Sequence, residues 1–147
     1  MSAAATLSIA AGTRLPVLER HVTQATIDAY ARASGDFNPI HVDPAFAAKG
    51  PFGRTIAHGL MTLAFVAELL NGWSDGAFDA SGELDIAFIG PVFAGDTVSI
   101  GGTVEALEPA PAGPSHAIVR LEGHAGGRPI VGGTAKVPVT IDGGTQA

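Results

Sequence analysis

Gly59-Leu60-Met61-Thr62-Leu63-Ala64-Phe65-Val66-Ala67-Glu68-Leu69-Leu70 is the stretch on which the fold turns. It is long enough for about three turns of helix and is apolar on nearly every side. A helix without a broad polar face belongs inside something. It is also too short to span a bilayer, and Glu68 interrupts its best apolar run. In a chain of 147 residues, the cover for such a helix is most simply a sheet wrapped around it.

The sequence downstream supplies that sheet. Leu84 to Val92 is an apolar run closed by Gly90 and Pro91. From Thr97 to Leu107 the residues alternate, with Val98, Ile100, Val104 and Ala106 on one face and Thr97, Ser99, Thr103 and Glu105 on the other. Pro109 to Pro114 is a turn cluster. Ala117, Val119 and Leu121 oppose Arg120 and Glu122. Val131, Ala135, Val137 and Val139 oppose Lys136 and Thr140. Successive strands joined by tight turns predict an antiparallel sheet.

Upstream the pattern is helical. Thr13 to Val22 reads as an extended entry. Thr23 offers an N-cap, Ile27, Tyr30 and Ala31 follow at helical spacing, and Gly35 stops the helix. Asp36 to Ile40 is expected to be irregular, because Pro39 removes a backbone donor and restricts Asn38 to extended geometry. Asp43 then Pro44 reads as an N-cap and first residue of a short helix, with Asp43 a cap rather than a catalyst. Gly50, Pro51 and Gly53 break that helix. The chain is therefore α+β, helices early and sheet late, and is expected to be one domain over residues 1–147.

Composition narrows the function classes. The chain is 46% hydrophobic and 15% charged, with a net charge of −6. It has no Lys/Arg-rich stretch, so no nucleic-acid partner is expected. There are no cysteines, which removes disulfides, thiolate ligands and cysteine nucleophiles together. That fits a cytoplasmic location. The N-terminal Met1 to Arg14 lacks a basic leader segment and a full apolar core, so it makes a poor signal peptide. No membrane association is expected. Gly101-Gly102, Gly126-Gly127 and Gly132-Gly133 fall in strands or turns and form no nucleotide loop.

Chemistry concentrates in Ser34-Gly35-Asp36-Phe37-Asn38-Pro39-Ile40-His41. A carboxylate, a carboxamide and an imidazole lie on a loop stiffened by Pro39. A reaction that takes a proton from water and gives one to carbon needs two proton-transfer groups close together. Asp36 and His41 can supply them, and can hold a water between them. Asn38 can donate and accept, fixing the loop or the water. The same residue types also make ordinary turns, and a lone histidine is often a hydrogen-bonded core residue.

Tyr30 to Ala47, YARASGDFNPIHVDPAFA, resembles the signature of the MaoC-like family of (R)-specific enoyl-CoA hydratases and 3-hydroxyacyl thioester dehydratases. The resemblance continues through Ile56-Ala57-His58-Gly59-Leu60-Met61 and returns at Phe88-Ile89-Gly90-Pro91-Val92-Phe93-Ala94-Gly95-Asp96. It implies a hot-dog fold, a curved antiparallel sheet around a long central helix. It implies a hydro-lyase with Asp36 and His41 as the catalytic pair and Asn38 in support. Gly59 would present its N–H to the thioester carbonyl, where a helix start favours enolate charge. The implied substrate is an acyl-CoA, with an acyl-carrier protein as the alternative. The implied assembly is a homodimer, with a heterodimer or a larger oligomer as alternatives. No cofactor is implied. Some relatives carry a serine in the central helix where this chain has Ala67, and Thr62 is the hydroxyl available instead.

Other residues have plainer readings. His58 is read as shaping the helix start. Asp36, His41, Asp43 and His58 match no zinc spacing, so no metal is expected. Lys49 and Arg54 are the nearest cations for a pantetheine or nucleotide phosphate. Glu68 admits a thioesterase reading, although a glutamate in an apolar helix more often reaches a polar partner. A non-catalytic acyl-thioester-binding subunit is the remaining alternative, and the presence of Asp36, Asn38 and His41 weighs against it.

Overall fold

A computed structural model describes residues 9–140. The leader reading rests mainly on residues 1–8, outside that range. The order is β1 (Leu18–His21), α1 (Gln24–Ser34), α2 (Pro39–Val42), α3 (Pro44–Ala48), α4 (Gly59–Ser74), α5 (Ala77–Ser81), β2 (Glu83–Phe88), β3 (Thr97–Glu108), β4 (Ser115–Ala125) and β5 (Arg128–Val139). The strands form one antiparallel sheet in the order β1-β3-β4-β5-β2. It is the sheet of a hot-dog fold, with α4 packed on its concave side.

The inward faces follow the alternation. Val98, Ile100 and Val104 from β3, Ala117, Val119 and Leu121 from β4, and Ala135 and Val137 from β5 enclose Met61, Val66, Leu69 and Leu70 of α4. The alternation in β3 breaks once. Val104 pairs with Val119 but Ala106 pairs with Ile118, so Glu105 is an extra residue. The bulge turns Ala106 outward, against the sequence expectation, and sends Leu107 toward the core.

Three other expectations are corrected. The strand expected over Leu84 to Val92 ends at Phe88, because Ile89 and Gly90 both donate to the Ile130 carbonyl and the ladder closes there. Asp36 to Ile40 is not wholly irregular: α2 begins at Pro39, whose missing N–H costs nothing in a first turn. The central helix is not enclosed all round. Leu60, Ala64 and Glu68, spaced four apart, form an exposed stripe, with Leu60 61% exposed. Glu68 pairs with Arg20 of β1, which is the polar partner an apolar helix predicts for it.

Candidate active site

The site is assembled from three segments that local rules bring to one place. Thr23 caps α1 by accepting from the Thr26 N–H, and Gly35 ends it at φ 78°. The chain then turns sharply. The Asp36 N–H donates to Ser34 Oγ (3.2 Å), and Asp36 Oδ1 accepts from the Asn38 N–H (3.1 Å). Asn38 Oδ1 in turn caps α2, accepting from the Ile40 N–H at 3.2 Å. The Asn38 carbonyl accepts from the His41 N–H at 2.9 Å. Asn38 is thus the hinge between the two candidate catalysts, and its side-chain oxygen is bonded within the loop.

The second segment is Thr55 to His58. The Ile56 N–H donates to the Ile40 carbonyl (3.1 Å) and the Ala57 N–H to the Val92 carbonyl (2.8 Å). Ile56 also bridges Phe93. His41 Nδ1 lies 2.7 Å from the Ile56 carbonyl. A carbonyl only accepts, so Nδ1 carries the hydrogen and Nε2 of the neutral ring keeps a lone pair. That Nε2 faces Asp36 Oδ2 at 3.9 Å. The gap is too long for a direct hydrogen bond. A water bonded at about 2.8 Å to both atoms would see them at about a right angle, close to its own bond angle. Asp36 is 53% exposed in its side chain and opens to solvent, whereas His41 is buried.

His58, 3% exposed, completes the cluster. Its Nε2 lies 2.9 Å from the Asp36 carbonyl, so it donates there. Its ring stacks on that of His41 at 3.9 Å and lies 4.8 Å from the ring of Tyr30. Its Nδ1 is buried without a hydrogen-bond partner among the described residues. Asp36, His41 and His58 offer ligand atoms within 4.8 Å of one another. One nitrogen of each ring is bonded to a backbone carbonyl, and the other, His41 Nε2 or His58 Nδ1, keeps its lone pair in the neutral ring.

The third segment is the start of α4. Gly59 is its first residue, His58 gives no side-chain cap, and the Gly59 N–H has no intrahelical acceptor. A Cβ on Gly59 would sit 3.5 Å from the Phe88 ring. Thr62 is buried one turn further along. Lys49 ends α3 and is exposed, and Arg54 lies over the Phe93 ring with its Cζ 3.8 Å from the centroid. Gln24 went unnoticed in the sequence. Its Nε2 donates to the His41 carbonyl (2.8 Å), and its Oε1 accepts from Thr55 Oγ1 at 2.6 Å. A first-turn glutamine carries no signal of its own, since its partners lie 17 and 31 residues away. A cavity of about 270 Å³ lined by Asp28, Arg32, Phe37 and Val42 flanks the loop, but neither Asp36 nor His41 lines it.

The chain is similar to several known proteins. Residues 7–110 match the model of a MaoC like domain. A 48-residue stretch is 56% identical to 3-hydroxyacyl-thioester dehydratase Z of Mycobacterium tuberculosis, covering 33% of this chain and 32% of that protein. The match thus spans about a third of that relative's length. Over 90 residues the chain is 38% identical to the (R)-specific enoyl-CoA hydratase of Aeromonas caviae, covering 61% of this chain and 67% of the relative. The solved structure of an (R)-hydratase from A. caviae superposes with a TM-score of 0.76 at 32% identity, covering 90% of this chain and 98% of that one.

Proposed function

The chain belongs to the MaoC-like domain family, and on that premise we propose that it is a hydro-lyase interconverting a trans-2-enoyl thioester and its (R)-3-hydroxyacyl form. The observation that carries the reading is Asp36 Oδ2 facing the lone-pair nitrogen of His41 at 3.9 Å, beside the uncapped start of α4. Both atoms accept hydrogen bonds. A water between them donates to each and presents an oxygen lone pair outward.

In the hydration direction the thioester oxygen takes the Gly59 N–H, which draws electron density from the enoyl double bond. The water oxygen bonds to Cβ while one of the pair removes its proton. The π electrons move to the enolate, whose oxygen is stabilised at the helix start. A proton then passes to Cα. Dehydration is the same path reversed, and the match to a 3-hydroxyacyl-thioester dehydratase favours it as the second reading. Acyl-CoA is the proposed substrate and acyl-carrier protein the alternative carrier. Thr62, buried next to His58 and Gly59, is proposed to line the acyl path. Lys49 and Arg54 are proposed as phosphate contacts, and the working form as a homodimer. Among the described residues, no helix is long and apolar enough to cross a membrane.

The test is loss of enoyl absorbance when the purified protein meets crotonyl-CoA. Turnover is expected. Asp36→Asn and His41→Ala should each lose about 10²–10⁴ in kcat. No turnover of crotonyl-CoA, together with no dehydration of a 3-hydroxyacyl thioester on either carrier, would end the proposal.

A further inference from the structure

We infer that Gln24 is a positioning residue for the proposed reaction: its carboxamide ties the backbone of His41 to the segment that holds the His41 ring. This inference rests on the hydratase reading and deepens it by naming what keeps the His41 lone pair aimed at Asp36.

Gln24 is the first residue of α1 and is half-buried. Every polar atom of its side chain is bonded. Nε2 donates to Asp28 Oδ1 at 2.9 Å and to the His41 carbonyl at 2.8 Å, and Oε1 accepts from Thr55 Oγ1 at 2.6 Å. A carboxylate and a carbonyl only accept, so the nitrogen is fixed on the side of His41 and the oxygen on the side of Thr55. All three bonds go to protein groups, so the carboxamide acts on the reaction through His41.

Two gaps in the local structure explain the need for it. The single turn of α2 cannot satisfy its own last carbonyls. After His41, the Asp43 N–H turns back to the Pro39 carbonyl, and Pro44 has no N–H to give. Gln24 supplies the donor that the His41 carbonyl lacks. On the other side, Thr55 is buried, and its hydroxyl needs an acceptor. The next residue, Ile56, accepts from His41 Nδ1 at 2.7 Å. His41 is therefore held twice, at its carbonyl and at its ring, and both holds lead back to one carboxamide. Asp36 leaves the other end of the same helix, one residue beyond Gly35. α1 thus delivers the carboxylate from its last turn and steadies the imidazole from its first, which fixes the 3.9 Å gap between them.

The experiment measures hydration of crotonyl-CoA by the unaltered protein, Gln24→Met, Gln24→Glu, Thr55→Val and Thr55→Ser, at a temperature where circular dichroism shows each to be folded. Gln24→Met should lower kcat about tenfold, the size of one neutral hydrogen bond, and move KM less than about twofold. Gln24→Glu keeps the shape but cannot donate to the His41 carbonyl and repels Asp28, so it should lose at least as much. Thr55→Val should lose less, and Thr55→Ser should restore the activity. In a His41→Ala background, Gln24→Met should cost less than about a further twofold, because its effect passes through the missing ring. Nitrogen NMR of the His41 ring should show one tautomer, with the hydrogen on Nδ1, in the unaltered protein and a mixture in Gln24→Met. Full activity in Gln24→Glu, a KM change as large as the kcat change, or a tenfold loss persisting in the His41→Ala background would overturn the positioning role and leave the hydratase reading intact. Where Gln24→Met does not fold, equal kcat in Thr55→Val and Thr55→Ser would overturn it as well. No turnover by the unaltered protein would overturn both.

Discussion

His58 binds nothing in the proposed reaction, yet it touches both residues that do. It donates to the Asp36 carbonyl and stacks on the His41 ring. Those two contacts separate by substitution. His58→Gln keeps a donor where Nε2 stood but loses the stack, and His58→Phe keeps a ring but loses the donor. If the donor sets where Asp36 sits, His58→Phe should lower kcat about tenfold to a hundredfold with little change in KM, and His58→Gln should recover most of it. Equal losses in the two variants would assign the effect to packing. At this scale the sequence is half informative. Asp36, Asn38 and His41 are legible because they lie within six positions. The Ile56 carbonyl and the Gln24 amide are not, because backbone atoms leave no letter and long-range partners leave no spacing.

Elements were legible where their cause is local. The caps at Thr23, Gly35 and Asp43 fall where the residue types demand. The bulge at Glu105 and the short α5 were missed, since both answer to neighbouring elements. The pair Gly132-Gly133 shows the same limit, because the two letters are identical and their surroundings differ. At Gly133, with φ 147°, an added Cβ would stand 2.2 Å from the Asp85 carbonyl oxygen, where β5 meets β2. At Gly132 the nearest atom would be 3.9 Å away, an ordinary contact. Gly133→Ala should therefore cost about 1–3 kcal/mol, and Gly132→Ala clearly less, by urea unfolding midpoints. Equal midpoints would contradict the close approach of β2. For the helix, Leu70→Ala should cost about 2–5 kcal/mol, since Leu70 is fully enclosed by the sheet.

Seen whole, the molecule leaves the β2 edge of its sheet uncovered among the described residues. β2 ends the sheet, with no further strand beside it among the described residues. Phe88 lies against Gly59, and Phe88, Ile89 (58% exposed) and Leu60 are all exposed. Apolar side chains beside an open strand edge invite a covering surface. A homodimer through this edge predicts sedimentation at twice the chain mass. Ile89→Lys should shift it toward one chain and reduce turnover, whereas a monomer in the unaltered protein at micromolar concentration would contradict it. What the fold brings together is two acceptors 3.9 Å apart, and the proposed mechanism sets one water between them. The sharpest measurement is the kinetic double-mutant cycle of Asp36→Asn, His41→Ala and the double variant on crotonyl-CoA. Two residues sharing one water act as a unit, so the double variant should be no more than about threefold slower than the worse single one. Losses that multiply would show that the two side chains act independently and that they do not share a water.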